Sequence, residues 1–111
     1  GNGITQYDVA VSATNTNVDI YIKADGDLIS GVNTISLSNE KYNFDLSDNT
    51  VPGGQRFSLT INYADNLIAS NLPDGSIVYI KFYLDAPSGQ NPGTYSNTVS
   101  LAAVPNGNPP P

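Results

Sequence analysis

Cysteine, methionine, tryptophan and histidine are all missing from this 111-residue chain. Without cysteine and histidine it has no thiol nucleophile, no imidazole base, no disulfide, and no thiolate or imidazole ligand for zinc, copper or haem. No metal site and no cofactor is therefore assigned, and most enzyme classes are excluded. Positive charge is scarce as well. Lys23, Lys41, Arg56 and Lys81 stand against ten carboxylates for a formal net charge of −6, which argues against nucleic acid or an anionic membrane surface as partner. Charged residues make up 13% of the chain, against roughly 25% in an ordinary soluble domain, and Asn, Ser, Thr and Gly take their place. Such a polar but uncharged surface suits secreted and cell-surface β-proteins. Long apolar runs are also missing, since nothing approaches the roughly 20 residues needed to cross a bilayer. No basic segment leads into an apolar one at the start, so an exported form would already have lost its signal. Lack of cysteine leaves the redox compartment open, because a secreted β-protein with well-paired sheets can do without disulfides. None of the fourteen asparagines opens an Asn-x-Ser/Thr sequon, so N-linked glycan is not expected.

What the chain does have is alternation with period two, and no stretch holds a helical period. In YDVAVSA, Tyr7, Val9, Val11 and Ala13 share a face. In VDIYIKA, Val18, Ile20, Ile22 and Ala24 point inward with Asp19, Tyr21 and Lys23 outward, and the polar ATNTN between these two segments predicts a hairpin. Ala24 to Gly31 is turn chemistry around Asp25-Gly26-Asp27, and a short strand, VNTISLS, follows. KYNFDLS offers Tyr42, Phe44 and Leu46 on one face, Ser47 to Gln55 reads as a loop, and RFSLTINY places Phe57, Leu59, Ile61 and Tyr63 inward. ADNLIASNLPDG shows no clear period. SIVYIKFYLDAP is apolar on both faces apart from Lys81, which predicts a central or covered strand. With PGTYSNTVSLAAV, in which Tyr95, Val99, Leu101 and Ala103 point inward, it reads as a closing hairpin. The expectation is an all-β, antiparallel Ig-like or jelly-roll-like β-sandwich of about seven or eight strands. Residues 1–6 are drawn as a flexible arm, 7–104 as the sandwich domain and 105–111 as a Pro-rich tail or linker.

Three groups of residues invite a chemical reading, each with a plainer one beside it. Asp25 and Asp27 flank a turn glycine as loop ligands for Ca²⁺ would, but Asp-Gly in a turn explains the same letters, and the closing glutamate of an EF-hand loop is absent. Asp45 with Asp48, and Asp65 with Asp74, are weaker pairs of the same kind. Glu40, the only glutamate, is read in a turn and lacks the facing carboxyl and cleft of a glycosidase. Tyr21, Tyr79 and Tyr83 could share an exposed face for stacking on sugar rings, although tyrosine is also simply a good strand residue. Lys81 among them reads as a solubilising or edge-protecting charge. Gly53-Gly54 lacks the lysine and helix of a phosphate loop.

The strand and turn VDIYIKADGDL, with the phrase YLDAPSGQNPGTYSNTV in which Pro87 and Pro92-Gly93 shape the turn ahead of Tyr95, resemble a β-sandwich module of archaeal and bacterial cell-surface and appendage proteins, pilus-like or S-layer-associated. The resemblance implies a non-catalytic extracellular structural protein that assembles through sheet packing and edge-strand pairing with copies of itself. Modules of this type usually carry further strands before Tyr7, so a strand donated by a neighbour is expected to complete the sandwich, with the GNGITQ head as candidate donor. The alternative reading is a carbohydrate-binding module tethered to a larger secreted protein.

Overall fold

In a computed structural model, which describes residues 3–12, 15–45, 56–85 and 87–111, the chain is all-β and built from antiparallel strands. These are β1 (Gly3–Ala10), β2 (Val18–Ala24), β3 (Leu28–Ser30), β4 (Asn33–Ile35), β5 (Glu40–Asp45), β6 (Phe57–Ser58), β7 (Leu67–Leu72), β8 (Ile77–Leu84) and β9 (Val99–Pro105). A first sheet has the order β1-β8-β5-β6, a second the order β7-β2-β9, and β3-β4 is a separate hairpin. Val78 and Ile80 of the first sheet and Ile20, Ile22 and Ala24 of the second meet in one core with Leu37, Tyr42, Leu59 and Ile68. The predicted sandwich is therefore present, with nine strands among the described residues.

β8 lies between β1 and β5, the central place that its two apolar faces predict, which corrects the edge-protecting part of the reading of Lys81. Both predicted hairpins are corrected too. β1 pairs with β8 and β2 with β7 and β9, so the chain crosses between sheets after β1, and again between β8 and β9. Period-two patterning marks a strand but says nothing about its partner. The arm drawn at residues 1–6 is strand from Gly3 onward, pairing Gly3 with Leu84 and Gln6 with Lys81 of its own chain. The tail drawn from residue 105 begins inside β9, and the Asn106 N–H donates to the Asn17 carbonyl at 2.9 Å.

Two local departures have polar causes. The expected RFSLTINY strand is reduced to Phe57–Ser58, and Ile61 is exposed while Leu59 is buried. Thr60 turns the chain instead, its hydroxyl accepting from the Asn62 N–H at 3.3 Å and from Asn66 Nδ2 at 2.9 Å, local bonds of the kind that compete with a ladder. β7, which showed no period, is bulged: its register against β2 shifts on both sides of Ile20, and Asn71 adopts a left-handed φ of 57°.

The strands give the molecule a direction. Val11 exchanges hydrogen bonds with the 75–76 turn, and Val18 pairs with Leu72 and Pro105, which gathers Ala10, Ile77, Leu72, Val18 and Pro105 at one end. Gly3, Leu84, Glu40, Ala24 and Val99 lie at the other, joined through Leu59 and Thr60.

Candidate functional site

Among the described residues a concavity lies where the first sheet ends at β5 and β6 and the second begins at β7. Alternation along β5 aims Tyr42 and Phe44 at the core side, and the register sets Tyr42 opposite Phe57. The three rings form one cluster, with centroids 5.7 Å apart for Tyr42 and Phe57 and 6.0 Å for Phe44 and Phe57. With Thr60, Asp65, Asn66 and Leu67 they line a cleft of about 280 Å³. Burial pushes the Tyr42 hydroxyl up to about 12. It therefore stays protonated and donates to Asn66 Oδ1 at 3.2 Å. Asn66 Nδ2 donates in turn to Thr60, whose hydroxyl also donates to Asp65 Oδ2 at 3.1 Å. Both Phe57 and Leu67 at the mouth are exposed. The cleft offers apolar contact and a short polar chain.

Asp25 and Asp27, the pair read as calcium ligands, both accept from backbone. Asp25 Oδ1 accepts the Thr98 N–H at 3.0 Å and Asp27 Oδ1 accepts the Leu37 N–H at 2.8 Å. Each therefore ties the turn to a different segment, and among the described residues no three acidic groups gather as a metal site would require. Glu40 opens β5 rather than sitting in a turn. It accepts from Asn97 Nδ2 at 2.7 Å, and desolvation, against that hydrogen bond and with help from the Asp25 charge, raises its carboxyl above the ordinary value. Asp65 and Asp74 fall at opposite ends of β7, while Asp48, Gly53, Gly54 and the side chain of Asp45 lie outside the described residues.

The three tyrosines do not form one platform. Tyr21 is buried on β2 of the second sheet, while Tyr79 and Tyr83 are on β8 of the first. The Arg56 guanidinium lies 3.7 Å from the centroid of the Tyr83 ring, covering the face a sugar would use.

Sequence reading missed two features. Asp19, read as outward, is 5% exposed, and its carboxylate accepts from Asn106 Nδ2 at 2.8 Å, the Asn71 N–H at 2.9 Å and the Gly107 N–H at 3.1 Å. These donors hold it below the ordinary carboxylate range. The other feature is the outer edge of β9. Register places Val99, Leu101 and Ala103 on the face shared by Ala24, Ile22 and Ile20, as expected, yet Ile22 is fully buried while Leu101 is 42% exposed. The core-side face of the second sheet therefore continues past the cover of the first. A signal for it was present in the absence of any charge from Val99 to Pro105.

Compared with protein-family models, with curated proteins and with solved structures, the chain has no match. Among the described residues no helix is long and apolar enough to cross a membrane.

Proposed function

We propose that this chain is a non-catalytic structural protein of the cell surface, a subunit or module of a filament or S-layer-type assembly that acts through sheet packing and edge pairing. The observation that carries the reading is the uncovered apolar face at β9, where Leu101 stands 42% exposed beside the fully buried Ile22. A sheet edge that leaves core-type side chains in water is a template for another strand. The low charge and the polar, uncharged surface of the chain support an extracellular setting. The donated strand expected from the GNGITQ head takes a specific form, because β1 already fills a place beside β8: it would have to exchange between copies rather than fill a vacancy.

The aromatic cleft favours a second reading, a tethered module that binds carbohydrate, since apolar walls with a few convergent polar groups are what a small ligand requires. Negative-stain electron microscopy with light scattering separates the two. Mass that rises with concentration, together with a regular repeat, is expected for the structural protein. A monomer at all concentrations that is retained on a polysaccharide column would replace it with the binding module.

A further inference from the structure

Among the described residues the two sheets have four edges, and three carry a device that discourages pairing. β1 places Asp8 in mid-strand, β6 is two residues long, and β7 is bent by its register shifts and by Asn71. β9 has none of these, and its one interruption is Pro105 at its end, which has no N–H to offer a partner strand. It runs without a register shift against β2 from Val99 to Pro105, and its sequence VSLAAVP contains no charged residue.

We infer that β9 pairs with β9 of a second copy, antiparallel about a twofold axis at Ala102, so that the two second sheets become one of order β7-β2-β9-β9-β2-β7. This names the partner for the assembly reading above and rests on it. For two copies of this chain, charge selects the edge. Each chain carries a net −6, so contacts that bring carboxylates together are repulsive, and β9 is an uncharged strip on which two copies can meet. Symmetry selects the register. A twofold contact must be self-complementary, and an axis at Ala102 lets β9 overlap along its length, with Pro105, which has no N–H, falling opposite Val99 at each end. Leu101 of each copy then faces Ala103 of the other, so the exposed apolar groups on the core side cover one another. Ser100 faces Val104, and no like charges meet. Pairing with β1 of a second copy would instead bring Asp8 into the strip, and pairing with β7 would set a straight ladder against a bulged one.

The absence of cysteine makes the test direct, because Ala102→Cys supplies the only thiol. Across the axis the two Cβ atoms would lie about 4.5–5.5 Å apart, within reach of a disulfide after small adjustment. Under mild oxidation Ala102→Cys is expected to form a covalent dimer about tenfold faster than Thr34→Cys, an exposed position on β4. Leu101→Lys is expected to weaken self-association by about tenfold or more in sedimentation, with an unchanged circular dichroism spectrum. Equal cross-linking at the two positions would overturn the inference, as would undiminished association of a folded Leu101→Lys chain. Should that variant not fold, the cross-linking contrast decides alone. Large assemblies without preferential cross-linking at position 102 would sink this pairing and leave the assembly reading standing. Cross-linked dimers that never grow would do the reverse.

Discussion

Asp19 shows how one side chain can join elements that are far apart in the chain. Its donors come from Asn71 and Asn106, 52 and 87 residues away, and Gly107 can present its N–H because its φ is +90°, a conformation that suits glycine. Alternation alone placed this carboxylate in water, since local pattern cannot see donors brought in by a bulge in β7 and by the turn after β9. The pH dependence follows from two opposed groups. Asp19 is held below 3.8 by Asn106 first, then by Asn71 and Gly107. Its stabilisation is therefore complete above that value and is lost as pH falls through the folded-state value. Glu40 is raised above 4.5, chiefly by desolvation, so its cost is absent below that pH and appears as pH rises through the folded-state value. Asp19→Asn, which turns an amide toward the Gly107 N–H, is expected to lower the thermal midpoint at pH 7, by an amount that shrinks as pH falls through the lowered folded-state value of Asp19. Glu40→Gln is expected to raise the midpoint at pH 7 and leave it unchanged at about pH 4. Midpoints by circular dichroism across this range check both, and identical shifts at every pH would contradict them.

Strands were more legible than their partnerships. β2 was readable to the residue because uninterrupted alternation marks a strand, and β8 almost to the residue because a run apolar on both faces marks a strand inside a sheet, whereas β7 was missed because its bulge breaks the period. The aromatic cleft was legible only in part: Tyr42, Phe44 and Phe57 were each assigned an inward face, but the pairing of β5 with β6 that stacks them depends on chain reversal, which periodicity does not encode. β9 was given the correct face and the wrong burial, because coverage depends on the width of the opposing sheet. That difference is measurable. Ile22→Ala is expected to destabilise by about 2–5 kcal/mol, the usual range for a buried aliphatic truncation. Leu101→Ala, on the same face, is expected to destabilise by less than about 1 kcal/mol in dilute protein. Chemical denaturation at low concentration would compare them, and equal losses would mean that β9 is covered after all.

At the scale of the whole molecule the extents are 50 × 29 × 19 Å, and the radius of gyration is 15.0 Å, against about 13 Å for a compact domain of this length. The elongation follows the strands, and Gly3 and Pro105 lie at opposite ends of them. Tension applied between these two residues would therefore act lengthwise along β1 against β8 and along β9 against β2. Each ladder would be loaded in shear, its hydrogen bonds sharing the force and failing together. Pulling instead between Gly3 and Leu84, which are register partners at one end, would peel β1 away one pair at a time. Single-molecule stretching is expected to show a rupture force several-fold higher in the first geometry than in the second, with rupture governed by the unfolding rate. Equal forces would mean that the two ladders do not carry the load. Because β1 and β9 grip different sheets, a pull between Gly3 and Pro105 would load two ladders at once and pass from one to the other through the shared core.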